Sequence, residues 1–339
     1  MRAWDPVARG GCHEFLRGTF MTTSLLVVRE YIRNFYVKYE EYIVPVLKFL
    51  LALVSMLMIN SQLGFMSQLD NAAAVLVVAL ICSFMPKNFI LFVAAGFVTL
   101  HLYEVSLECA AAALVVFLLM FLLYFRFSPG SAVLVIVTPM LFAFKIPYAA
   151  PLVAGLLGNP FAAVTVACGV IVYYLITYMN VNASILGSSE AESVIQRFRD
   201  IFDGIFGNRA MLIIIAAFAV TVIMVYLIRK LSVDYAWTIA IVAGALLDIV
   251  ILMVGDLIYD ANFSIGGVIL GSIAAMAAAF VVQFFRFNLD YSRTEKVQFE
   301  DDEYYYYVKE VPKMTVATPE KKVKKITTQR NSRNDRHTD

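Results

Sequence analysis

The reading of this chain turns on two stretches, Ala72–Leu100 (AAAVLVVALICSFMPKNFILFVAAGFVTL) and Ala132–Leu157 (AVLVIVTPMLFAFKIPYAAPLVAGLL). Each is an apolar run with a break inside it, at Pro86-Lys87-Asn88 in the first and at Lys145-Ile146-Pro147 in the second. A longer apolar run follows each: Cys109–Phe125 and, after another break at Asn159-Pro160, Phe161–Met179. Both copies therefore read short, short, long. Crossing about 30 Å of hydrocarbon takes about 20 apolar residues, so a run of about 14 falls short. Such pieces either cross where the bilayer thins or turn back as hairpins on the face they entered. Paired Pro-interrupted segments in two halves of a chain point to a transporter-like site, and two units of odd crossing number form an inverted repeat. The competing reading is that Pro and Gly are common in membrane helices and tight turns, and the two copies share little residue identity.

Composition sets the class. The chain has 339 residues, 61% of them hydrophobic and 16% charged, which is too apolar for a soluble globule. The fold class expected is an all-α polytopic membrane protein of about 6–10 transmembrane helices, with two Pro-broken short-helix units and a small cytoplasmic tail. Its lipid partner is the bilayer. The net charge of +1 gives no sign of nucleic-acid binding, because the charges sit in loops and tails. Cys82, Cys109 and Cys168 lie inside apolar runs and Cys12 in the N-terminal extension, with no CxxC pair, so free thiols are expected rather than a disulfide or metal site.

Three regions follow. Residues 1–41 form a cytoplasmic N-terminal segment. Its first twenty residues lack a signal peptide's apolar core, and Met21 is read as the true start. From Leu25, an apolar set of Val28, Tyr31, Ile32, Phe35 and Tyr36 recurs at helical spacing, with Arg29, Arg33 and Lys38 between, as in a basic helix lying in the headgroups. Residues 42–287 are the transmembrane domain. Within it, 189–206 is an amphipathic extramembrane helix, opened by a Ser189/Glu192 capping box and carrying a stripe from Val194 to Phe206. Residues 288–339 are a cytoplasmic tail, in which Lys296–Phe299, the acidic turn 300–303 and Tyr304–Val308 read as a β-hairpin. A basic cluster at Lys321, Lys322, Lys324 and Lys325 follows.

Lys87, Arg126, Arg229, Lys230 and the basic tail fall on one side under the positive-inside rule, which puts both termini in the cytoplasm of a multi-pass cell-membrane protein. The segment 180–209 is the discord, since alternation puts it outside although it holds Arg197, Arg199 and Arg209.

The tail run DYSRTEKVQFEDDEYYYYVKEVPK (Asp290–Lys313), with SFMPKNF (Ser83–Phe89) and RKLSVDYAWTIA (Arg229–Ala240), resembles an uncharacterised family of polytopic integral membrane proteins of Gram-positive anaerobes. The resemblance covers most of the chain from Met21. Members are often labelled transporter permeases, so the resemblance implies the membrane architecture and, more loosely, transport.

Ionisable groups inside spans are costly and mark candidate sites. Asp248 stands mid-way along the run 236–258, and Asp256 nearer its outer end. Lys145, at the break of the second unit, is placed to pair with Asp248 or meet an anionic solute. His101, Glu104 and Glu108 share one face if that stretch is a single helix. Each has a plainer reading: outer loops and turns for Glu104, Glu108 and Lys145, and an interhelical hydrogen bond for Asp248.

No cofactor is implied. Three His, with neither GxSxG nor P-loop, leave little basis for an enzyme. Two functions then compete: a small-solute or ion transporter with a midplane site at the broken helices, and a membrane scaffold whose tail, at 294–313, recruits a cytoplasmic protein.

Overall fold

The computed structural model describes residues 27–188, 194–286, 295–300 and 305–310. The expected start at Met21, the capping box at 189–192 and the basic cluster at 321–325 lie outside them. Two compact units divide the chain, residues 1–34 with 313–339, and residues 35–312. In the first, only the opening of a helix is described: α1 (27–38) begins there, with Arg29 buried and Tyr31 and Ile32 exposed.

The second unit is built of helices. Among the described residues, seven helices are long and apolar enough to cross a membrane: α2 (Glu40–Gln62), α4 (Lys87–Val105), α5 (Leu107–Phe127), α8 (Ala162–Ser188), α10 (Arg209–Arg229), α11 (Ala236–Tyr259) and α12 (Ile265–Arg286). The chain is thus a multi-pass membrane protein. Shorter helices stand between them: α3 (Ala72–Phe84), α6 (Ala132–Ala143), α7 (Ala149–Leu157) and α9 (Val194–Phe206). Beyond them, β1 (Glu295–Glu300) and β2 (Tyr305–Glu310) pair antiparallel, Val297 opposite Val308.

The helix boundaries have local causes. Asn71, Ser106 and Asn208 each accept a backbone N–H of the following turn, and so cap α3, α5 and α10. Met85 is extended before Pro86, which separates α3 from α4. Pro147 has no N–H to continue α6, and Lys145 turns the chain in the left-handed region at φ 63°.

Side-chain bonds fix which ends of the helices lie together. The C-terminal end of α3 lies beside the start of α2, where Ser83 donates to the Pro45 carbonyl (2.9 Å) and Lys48 to that of Met85 (2.9 Å). At the opposite end His101 of α4 reaches Asn60 of α2. The tip of α5 returns to the start of α4, since Tyr124 meets Asn88. The bundle therefore has a Lys87 end and a His101 end, and α2, α3, α4 and α5 alternate between them. The same reasoning runs α8 from the Lys87 end to the His101 end, α10 back, α11 out and α12 back. The Thr238–Gln283 bond (3.0 Å) joins the Lys87 ends of α11 and α12. Accordingly α2 begins and α12 finishes at the same end.

The two broken stretches fold differently. In the first, α4 has 19 residues and crosses, whereas its counterpart α7 has nine. At 1.5 Å per residue α6 and α7 reach only about 18 and 14 Å, too short for the hydrocarbon. Arg229, at the Lys87 end of α10, donates to the Leu156 and Gly158 carbonyls and so holds the far end of α7 at the level from which α6 set out. Thus α6 and α7 form a hairpin with both of its open ends at the Lys87 end; in its turn at 144–148 Pro147 is buried, while Phe144 and Lys145 are exposed. The matched short, short, long pattern was a matter of apolar run length; His101 and Glu104 continue α4 past Leu100, where the run ends. The arms of the hairpin pack in separate places: α6 against α8, where a Cβ on Gly169 would meet Thr138 at 2.5 Å, and α7 in a cluster with Val225, Ile241 and Ala275.

Candidate functional site

Asp248 is 1% exposed and points between α10 and α11. One carboxylate oxygen, Oδ1, accepts from the Thr221 hydroxyl at 3.2 Å; the other, Oδ2, is buried without a hydrogen-bond partner. The close approach of the helices explains the burial. A Cβ on Gly244 would lie 2.4 Å from Val225 of α10, so glycine lets α11 settle one turn away from Asp248.

A second orphan stands at the same depth. From the Thr238–Gln283 bond, Asp248 lies ten residues along α11 and Ser272 eleven residues back along the antiparallel α12. Ser272 is 1% exposed and its Oγ also lacks a partner. Beside it is Gly271, whose missing side chain makes room for the hairpin turn: a Cβ there would lie 2.6 Å from the Tyr148 ring and 3.4 Å from the Lys145 carbonyl oxygen. The tip of the hairpin, α12 and the buried carboxylate of α11 therefore meet in one layer, with Phe218 of α10 edge-on to Tyr148.

Lys145 contributes backbone and not its side chain to this layer. Its side chain is exposed, and it makes no ion pair with Asp248. The pairing expected between them is absent because the left-handed turn carries the ammonium away while its carbonyl faces α12.

The other candidates disperse. His101 is fully buried and satisfied: its Nδ1 accepts from the Met66 N–H (3.2 Å), and its Nε2–H donates to Asn60 Oδ1 (2.9 Å), whose amide in turn donates to Leu69 (2.8 Å). It is a fastener for the 63–71 loop. Glu104 is exposed near the end of α4. The expected shared face of His101, Glu104 and Glu108 does not form, because Ser106 is extended and begins a new helix, placing Glu108 in the first turn of α5. There Glu108 pairs with Arg197 of α9 at 3.3 Å. Asp256 accepts from the Phe263 N–H (3.0 Å) and closes the 260–264 turn.

Thr221, Ser272 and Tyr148 had no standing as sequence candidates. A lone hydroxyl in an apolar helix was the one signal of Thr221 and Ser272, and a place beside the Pro147 break that of Tyr148.

A separate apolar cavity of ≈ 80 Å³ lies between α2, α4, α5, α6 and α8, reaching Ala143 on the other side of the hairpin turn. Two of its hydroxyls are spent locally, Ser55 on the Leu51 carbonyl and Thr177 on that of Tyr173. Charge and open space are thus on opposite sides of the hairpin.

These features define a polytopic helical membrane protein in which a hairpin of two short helices packs at the level of a buried carboxylate. No family model, curated protein or solved structure matches the chain.

Proposed function

We propose that the chain is a small-solute or ion transporter, with the cytoplasm at the Lys87 end and Asp248 in the transport site. The observation that carries this reading is Asp248 itself: a carboxylate in the middle of a spanning helix, 1% exposed, with one oxygen left unbonded. A buried polar atom without a partner costs about 1–3 kcal/mol, and a purely structural role would use both oxygens. The broken hairpin beside it supplies the irregular backbone that bilayer interiors tolerate only where protein or a cavity surrounds it. Lys87, Arg126, Arg229 and Lys230 at one end support the orientation, with both termini in the cytoplasm. The resemblance to permease-labelled proteins points the same way.

The test is ion flux in proteoliposomes read by pH- and Na⁺-sensitive dyes. Asp248→Asn should lower it at least tenfold, with insertion and thermal unfolding retained. Unchanged flux removes Asp248 from the mechanism.

The paired strands β1 and β2 favour a second reading, a scaffold whose tail engages a cytoplasmic protein, because transport has no need of them. Deleting 294–313 would then abolish partner capture while leaving flux intact.

A further inference from the structure

Resting on the transport reading of Asp248, the layer around it also specifies what it holds. We propose that Asp248, Ser272 and the backbone carbonyl of Lys145 form a binding site for a dehydrated monovalent cation, of which Na⁺ is the best match.

The donors are all oxygens. Asp248 Oδ2 and Ser272 Oγ are the two buried, unpartnered oxygens at one depth on adjacent helices. Thr221 Oγ1 adds a third, since a hydroxyl that donates to Asp248 keeps its lone pairs free. The hairpin turn supplies the backbone. Ile146, Lys145 and Phe144 donate to carbonyls at 141, 142 and 140, whereas, among the described residues, no backbone N–H donates to the carbonyls of Ala143, Phe144 or Lys145. Of these three, the Lys145 oxygen is the one against Gly271, the neighbour of Ser272.

A proton would need a single oxygen of Asp248. It gives no reason for an unbonded serine and an unbonded carbonyl to be collected at the same level. A hard cation does, because carboxylate, hydroxyl and carbonyl oxygens are its preferred ligands. The C-terminal end of α6, which carries the negative end of its helix dipole, points into the same layer. One carboxylate balances one positive charge; a divalent ion would remain half uncompensated in a buried setting. The Lys145 ammonium does not compete, as its side chain is exposed.

Gly271 has a defined part in this arrangement. With a Cβ at 2.6 Å from the Tyr148 ring, Gly271→Ala would push the turn and its carbonyl off α12 without touching Asp248.

The experiment uses the full chain in detergent. Thermal unfolding is measured in NaCl, LiCl, KCl and choline chloride at equal ionic strength, and radioactive-sodium binding is measured on the same preparations. The expected result is a higher Tm in NaCl than in choline chloride, since a ligand that binds only the folded state stabilises it by mass action. Asp248→Asn should abolish the difference. Ser272→Ala and Gly271→Ala should weaken sodium binding about tenfold or more, whereas Ser272→Thr, which keeps the hydroxyl, should retain it. Equal melting in all four salts, or a sodium effect that survives both Ser272→Ala and Asp248→Asn, overturns the site. If flux still depends on Asp248 in that case, the transport reading stands with a proton as its ion. If sodium binds as expected but Asp248→Asn leaves flux unchanged, the site stands and the transport reading falls.

Discussion

At Lys145 a side chain and its own backbone have separate roles. The residue holds φ 63°, a conformation that costs a non-glycine residue about 1–2 kcal/mol. Asn tolerates that region and a β-branched residue does not. Lys145→Asn is therefore expected to leave the unfolding midpoint and ion flux near wild type, while Lys145→Val lowers stability by about 1–3 kcal/mol and weakens flux with it. Thermal unfolding paired with the proteoliposome assay checks both. Loss of flux in a well-folded Lys145→Asn protein would assign the work to the ammonium instead. From the sequence, Lys145 was legible as a break and Asp248 as a costly charge, but their relation was not. The direction of a side chain at a turn depends on a φ value, and no residue pattern around Lys145 encodes a left-handed one. His101 shows the complementary case. Spacing grouped it with Glu104 and Glu108, yet its neutral ring is committed to Met66 and Asn60, partners 35 and 41 residues away.

Among the elements, α9 was legible in outline: the stripe from Val194 to Phe206 predicts a helix with one apolar face, and Val194–Phe206 is helical. Where that face goes was not legible, because it depends on a single close approach. Ile201 and Ile205 are buried, and α9 packs on α5 and α8. Gly204 makes this contact possible, since any Cβ there would lie 2.3 Å from the Tyr178 ring, whose hydroxyl donates to the Asp200 carbonyl at 3.2 Å. The pair Glu108–Arg197 holds the other half of the helix. Together they hold α9 at the His101 end, where one of the segment's three arginines, Arg197, is paired with a carboxylate of the bundle. Gly204→Leu should lift α9 from the bundle. In a cysteine-free background, Ile205→Cys should be slow to react with a thiol reagent, and adding Gly204→Leu should speed that reaction at least tenfold. Equal rates in the two proteins would mean that α9 is not held by this contact.

For the whole molecule, apolar run length gave a good account of α5, α10, α11 and α12, whose polar flanks coincide with the ends of the runs. It failed for α4, where polar His101 and Glu104 continue the helix past Leu100 to 19 residues, and so made two unequal stretches look like repeats. The hairpin of α6 and α7 departs from an inverted repeat of equal units, and its depth is the feature most open to measurement. With the turn 144–148 level with Gly271, six residues in from the start of α12, Lys145 sits about 9 Å below the His101 end. Single cysteines in a cysteine-free protein separate the alternatives. Asn88→Cys, at the Lys87 end, should react only with reagent supplied from one side of the membrane, and Asn262→Cys only from the opposite side. Lys145→Cys should react from the Asn262 side with a small cationic methanethiosulfonate, react far more slowly with a bulky one, and be protected by Na⁺. Labelling of Lys145→Cys as fast as Asn262→Cys by both reagents would mean that α6 and α7 cross fully and end in an outer loop. Labelling only from the Asn88 side would mean that the turn opens toward the Lys87 end, leaving Asp248 reachable from that end alone.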